Sequence, residues 1–151
     1  MSLRFTIAVT VTLAAALSAP ACASDACRLL TKSDVESVMK AKVQSMKPLG
    51  PEAGCQYMLA GKSLFPGTVS LQLHSASRSD YDEYLRKSAS ELKAKISPIG
   101  GLGEKAAWDG GRVIVYAKKQ LWVFTGGLPG MSAQDQRARL VVLAKRSLAR
   151  S

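Results

Sequence analysis

Two stretches decide the fold: Cys27-Arg-Leu-Leu-Thr-Lys-Ser-Asp-Val35 and, downstream, Gly54-Cys55-Gln-Tyr57. Thr31 and Asp34 have the spacing of a capping box, with aspartate in place of the usual glutamate. Leu30 and Val35 are placed to staple that helix start. Val35, Val38 and Met39 recur at helical spacing, so a helix is expected over about residues 31–42. Pro48, Gly50, Pro51 and Gly54 then read as a loop. Cys55, Tyr57 and Leu59 alternate with Gln56 and Met58, the period of a strand. A Cys27–Cys55 bond would tie the first helix to the first strand.

The amino terminus bears on whether that bond forms. Arg4 begins a short basic region, residues 5–17 are almost wholly apolar or small, and Ser18-Ala19-Pro20 breaks the run. Ala21 and Ala23 then stand at −3 and −1 of a cut after Ala23. This is the order of a secretory signal peptide, and the run falls short of the roughly 20 apolar residues of a spanning helix. Residues 1–23 are read as a leader and 24–151 as one domain. Cys22 opens a second route, lipidation of a new first residue. It follows Ala19-Pro20-Ala21, with no leucine at −3 and proline at −2, a poor lipobox, so soluble export fits better. Either route leaves Cys27 and Cys55 to pair in an oxidising periplasmic or extracellular compartment. A redox or metal pair is the rival reading, but the spacing is far from Cys-x-x-Cys and no histidine is near either cysteine. A bridge closing about 30 residues contributes about 3–4 kcal/mol, a large share of the roughly 5–15 kcal/mol typical of a domain.

Further along, Val69, Leu71 and Leu73 alternate with Ser70, Gln72 and His74, a half-buried strand set to pair antiparallel with the first. Ser79 and Asp82 make a second Ser-x-x-Asp start. Tyr81, Leu85, Ala89, Leu92 and Ile96 form its stripe, Lys93 and Lys95 its last turn, and Pro98 its stop. An extended piece at 106–108, the hairpin signal Asp109-Gly110-Gly111, and strands at 113–117 and 121–125 follow. The last two strands are apolar on both faces, which places them centrally. Ser132 and Asp135 start a third helix with the stripe Leu140, Val141, Ala144 and Leu148, and with Arg139, Arg146 and Arg150 on the far side. The order α-β-β-α-β-β-β-α describes an α+β fold: a twisted antiparallel sheet of about five strands, helices on one face, and one disulfide.

Charge points to anionic partners. The chain holds 21 basic and 11 acidic residues, and the leader takes one basic residue, so the exported part carries 20 − 11 = +9. Phospholipid headgroups, acidic envelope polymers and acidic proteins fit that sign; the same charge also keeps an exported protein soluble. Nucleic acid fits the sign but not the compartment, and no nucleic-acid-binding signature is present. Arg139, Arg146 and Arg150 are the candidate surface for an anionic partner, including peripheral contact with a membrane.

Catalytic patterns are sparse. His74 is the single histidine and falls on the polar side of its strand. No serine sits in a Gly-x-Ser-x-Gly elbow, and histidine count excludes a histidine-rich metal site. Gly101-Leu-Gly103 and the glycines at 126–130 lack the remaining features of nucleotide loops and read as turns, so no cofactor is expected. Glu52, Glu104 and Asp109 lie in expected loops and are the candidates for a carboxylate pair.

Cys-x-Leu-Leu-Thr-x-x-Asp-Val at 27–35, Gly-Cys-Gln-Tyr at 54–57, Gly-Leu-Gly-Glu-x-Ala at 101–106, Leu-Trp-Val at 121–123 and Leu-Val-Val-Leu-Ala at 140–144 occur in that order. In this the chain resembles a family of small secreted or lipid-anchored bacterial domains of unknown function. That family is similar to the extracellular sensor domains of some membrane-spanning Ser/Thr kinases. The resemblance implies a twisted antiparallel sheet with helices and a disulfide at Cys27 and Cys55, and it carries over no catalytic residue.

The expected role is a non-enzymatic exported envelope protein that binds an anionic ligand or protein partner. The alternatives are a hydrolase of envelope polymers using loop carboxylates and an inhibitor of an acidic exported enzyme. Amino-terminal sequencing of the processed protein is expected to begin at Ser24. Its intact mass is expected to rise by two hydrogens on reduction; an unchanged mass contradicts the bridge.

Overall fold

The computed structural model of the chain describes residues 25–50, 53–61 and 64–151. The leader, Cys22, Pro51 and Glu52 lie outside the described residues. In chain order the elements are α1 (Asp25–Leu29), α2 (Lys32–Met39), β1 (Val43–Pro48), β2 (Ala53–Leu59), β3 (Gly67–Ser75), α3 (Arg78–Glu91), β4 (Ser97–Pro98), β5 (Lys105–Trp108), β6 (Arg112–Ala117), β7 (Gln120–Gly127) and α4 (Ala133–Leu148). The strands make one antiparallel sheet in the order β1-β2-β3-β7-β6-β5-β4. β7 is central, and β6 lies beside it, in keeping with their apolar residues on both faces.

The α+β class and the disulfide agree with the sequence reading; the element count and layering differ. Helices cover both faces, not one. On the first face Tyr57, Leu71, Val115, Trp122 and Phe124 pack with Leu30, which follows α1, and with Val35, Met39, Leu140 and Leu143 from α2 and α4. On the second, Ala107, Ile114, Tyr116, Leu121 and Val123 pack under Tyr81, Tyr84 and Leu85 of α3. The period of two in β6 and β7 puts apolar side chains on both sides, so each side needs its own cover.

The expected first helix is two. Thr31 caps α2, with reciprocal bonds between its side chain and backbone and Asp34. Cys27 sits on the short α1 ahead of that cap, and its sulfur is bonded to Cys55 on β2, the second strand, with Cα atoms 5.1 Å apart. Beside the bridge the Tyr57 hydroxyl donates to the Leu30 carbonyl. Burial, then the nearby Asp34 charge, pushes that phenol up to about 12.

α2 stops at Met39 rather than near 42, because Lys40 turns left-handed at φ 56. β1 follows where the helix end and a loop are expected. Only Val43 of that edge strand is buried, so it shows no alternation to read. α3 is capped by Ser77 with Asp80, two residues ahead of the expected Ser79 and Asp82. The earlier frame buries Tyr81 and Ser88, exposes Ala89 and Leu92, and frees Asp82 to meet Lys105 at 2.7 Å. α3 ends at Glu91, and Pro98 lies instead on β4 opposite Ala107. In α4 the cap is Ser132 as expected, while the fully buried residues are Leu140, Leu143, Ala144 and Ser147.

Candidate functional site

The three arginines proposed for a surface reach across to α1 and α2, while Arg146 and Arg150 keep 44% and 40% side-chain exposure. Arg139 Nη1 donates to the Val38 and Met39 carbonyls at 3.1 and 2.7 Å. These are orphan acceptors at the α2 end, where a cation also suits the helix dipole. Arg146 Nη1 donates to Ser37 Oγ at 2.6 Å and to Asp34 Oδ1 at 3.4 Å. Arg150 reaches the Leu29 carbonyl at 3.1 Å and both Asp34 oxygens at 3.0 and 2.6 Å. Arg139, Leu143, Arg146 and Arg150 stand at i, i+4, i+7 and i+11, so the arginines flank the buried stripe. With Leu143 included in the stripe, that spacing is a sequence signal for a position along the edge of the core.

The Asp34 side chain is only 7% exposed. Burial resists its ionisation, but hydrogen bonds from Arg150 and Thr31, with the Arg150 charge, outweigh this and hold the carboxyl at about 2.

A second internal network closes the β5–β6 turn. Asp109 Oδ1 accepts from the Gly111 and Arg112 amides at 3.1 and 2.8 Å, and Oδ2 from Arg112 Nε at 2.7 Å. Arg112 also donates to Tyr84 Oη at 2.8 Å and Ser88 Oγ at 3.1 Å and lies over the Tyr84 ring. This fastens α3 to the turn. Glu104 accepts from the Lys118 amide at 3.2 Å at the other end of β5. The four residues of β5 lie between Glu104 and Asp109, five strand steps or about 16 Å along the backbone, against the ~5–9.5 Å of paired glycosidase carboxylates. These two candidate acids are not brought together. His74 is half-buried on β3, opposite Leu121 of β7. Among the described residues no three His, Cys, Asp or Glu side chains group as metal ligands.

Lys93 and Lys95 lie outside these networks at one end of the sheet, while Lys105, Lys118 and Lys119 lie at the other. At the Lys93 end β2 ends, β3 starts, β5 turns into β6, β7 ends and α3 stops. A shallow depression of about 400 Å³ is lined by Leu92, Lys93, Lys95, Gly110, Gly111 and Arg112. A second, of about 410 Å³, is lined by Pro66, Thr68, Gly111, Gly126, Gly127 and Gln136 among others. Gly111 lines both, so the two adjoin at that residue. Gln136 Nε2 fixes the shared rim by donating to the Gly111 and Gly126 carbonyls at 3.2 and 3.1 Å. Gly126 is required there: at φ +106 an added Cβ would lie 2.0 Å from the Thr68 carbonyl oxygen. Lys93 is left-handed at φ 51 and turns the chain off α3, while the Ser88 carbonyl accepts from the Leu92 and Ala94 amides. Lys40, Lys93 and Lys95 form no ion pair with a described residue. The sequence reading assigned Lys93 and Lys95 to a helix end and missed them as a site, because the turn that meets them is more than a dozen residues away.

No protein-family model, curated protein or solved structure matches the chain.

Asp34 sets an acid limit on the fold. Its carboxyl moves from an ordinary 3.8 to about 2 on folding, so its contribution is complete above the unfolded value and is lost as pH falls through the folded one. From about pH 5 to about pH 2 the protein is expected to lose about 2 kcal/mol more stability than an Asp34→Asn variant, itself weaker at neutral pH. Urea midpoints across that range check this; parallel profiles for the two proteins contradict it.

Proposed function

We propose that the protein is a non-enzymatic exported envelope domain that binds an anionic ligand or partner through the lysine-rich end of its sheet. The observation that carries this is the sorting of cations. Arg112, Arg139, Arg146 and Arg150 are committed to carboxylates and carbonyls of the chain itself, whereas Lys93 and Lys95 line an open depression and form no ion pair with a described residue. Arginine's planar fork suits fixed internal acceptors, and lysine's flexible, hydrated ammonium suits a partner met in solvent. The +9 balance of the exported chain works in the same direction over longer range. The resemblance to extracellular sensor domains fits a binding role, and the separation of Glu104 from Asp109 weighs against a hydrolase that uses that pair. Export itself is part of the proposal: the disulfide is compatible with an oxidising compartment, and among the described residues no helix is long and apolar enough to cross a membrane.

Retention of the processed protein on immobilised polyphosphate tests the reading. Binding is expected at about 0.1 M salt and to be lost by about 1 M, as the Debye length shrinks from about 10 Å to about 3 Å. Lys93→Glu with Lys95→Glu is expected to weaken it at least about tenfold, each lysine near an anionic surface being worth ~1 kcal/mol. Retention indifferent to both salt and these substitutions overturns the proposal.

A further inference from the structure

The end of the sheet that carries the lysines also carries most of the misplaced apolar surface. Among the described residues five large hydrophobic side chains are exposed: Met46, Leu64, Phe65, Leu92 and Val142. Single exposed hydrophobics are ordinary, but three of these share one end. Leu64 and Phe65 are neighbours at the tip of the β2–β3 hairpin, 97% and 74% exposed, and Leu92 at the end of α3 is 64% exposed. Pro66, next to Phe65, lines the depression that meets the Leu92–Lys93–Lys95 depression at Gly111. On the other arm of the hairpin the Ala60 amide donates to the Lys42 carbonyl at 2.7 Å, which brings Lys42 to the same end, two residues from the left-handed Lys40. Exposed apolar residues and lysines therefore share this end of the sheet.

We infer that this end is a docking face for an anionic phospholipid bilayer, with Leu64, Phe65 and Leu92 set among the lipid headgroups and Lys40, Lys42, Lys93 and Lys95 over anionic lipid. The inference rests on the proposed anion-binding reading and names its partner. A soluble polyanion offers nothing to an exposed Leu-Phe pair. A protein partner would need a groove matched to the exposed Leu-Phe pair, whereas a bilayer accepts exposed apolar side chains without a matching shape. Lysine is the fitting cation around such side chains, because its stem lies along apolar surface while the ammonium reaches the headgroups. The carboxylates at this end offset part of the charge and leave Lys40, Lys93 and Lys95 in excess of Asp135 and Glu91. Glu36 is bonded to the Val43 amide and paired with Lys42, Asp109 is closed in by Arg112, and Asp135 accepts from Ser132 at the start of α4. Glu91 is the exposed acid beside Leu92. The arrangement is a two-signal one, apolar insertion plus basic attraction, neither strong alone.

Sedimentation of the processed protein with vesicles tests this. Vesicles of phosphatidylcholine with phosphatidylglycerol are expected to bind it, and phosphatidylcholine alone to bind at least about tenfold more weakly. Leu64→Ser with Phe65→Ser, at positions that support no core, is expected to cut vesicle affinity at least about tenfold while leaving polyphosphate retention unchanged. Lys93→Glu with Lys95→Glu is expected to weaken both. The indole introduced by Phe65→Trp is expected to shift its emission to the blue on anionic vesicles; Trp108 and Trp122 are buried and give a constant background. Retention on polyphosphate without vesicle binding overturns the bilayer inference and leaves the anion-binding reading standing. Vesicle binding unaffected by the Leu64 and Phe65 substitutions also overturns it, as does an unshifted indole. Failure on both supports removes the two together.

Discussion

One buried carboxylate, Asp34, joins three helices that also meet through apolar contacts and through the Arg139 and Arg146 bonds to α2. It completes the cap of α2, accepts from Arg146 and Arg150 at the end of α4, and through Arg150 is linked to the Leu29 carbonyl at the end of α1. Burying a charge is costly unless its lone pairs are filled, and removing one partner of a buried pair costs about 3–5 kcal/mol. Asp34 is filled from several directions, and the guanidinium groups keep 40–44% side-chain exposure, which softens their own desolvation. Electrostatics thus set the orientation of the helical layer, while Leu30, Val35, Leu140 and Leu143 supply the apolar contact beneath it.

The disulfide works on the same layer from the other side. It fixes α1, five residues long and too short to stand as an isolated helix, onto β2. Bridge and carboxylate together hold one face of the sheet closed. The opposite face is covered only over β5, β6 and β7, where Ile114, Tyr116 and Val123 point toward α3. Over β1, β2 and β3 the corresponding positions are mostly polar, Ser45, Lys47, Gln56, Ser70, Gln72 and His74, with Met58 half-buried among them. This division of the sheet follows from strand alternation alone.

Much of this was legible in the chain, and what was not has physical reasons. The Thr31–Asp34 cap, the Cys27–Cys55 pair, the strands around 55–59, 69–73, 113–117 and 121–125, and the Ser132 cap are written in local spacing. β1 escaped because an exposed edge strand has no buried side to alternate with. The α3 frame was ambiguous because Ser77-x-x-Asp80 and Ser79-x-x-Asp82 overlap; what distinguishes them is tertiary, Lys105 taking Asp82 and Arg112 reaching Tyr84 and Ser88. The α4 arginines looked like a free surface because their acceptor, Asp34, lies 112 and 116 residues away. The lysine-rich end was hidden for the same reason: Lys93 and Gly111 become neighbours only when α3 lies down on the β5–β6 turn.

If arginines are committed to the chain itself and lysines face the partner, Asp34 and Arg150 must be coupled in the folded state. A double-mutant cycle with Asp34→Asn, Arg150→Gln and the double variant, read by urea unfolding at neutral pH, measures that coupling directly. The expected result is a coupling of at least about 1 kcal/mol. Two single effects that add to within about 0.3 kcal/mol would show that the carboxylate does not hold α4 in place, and the division between committed arginines and outer lysines would fail with it.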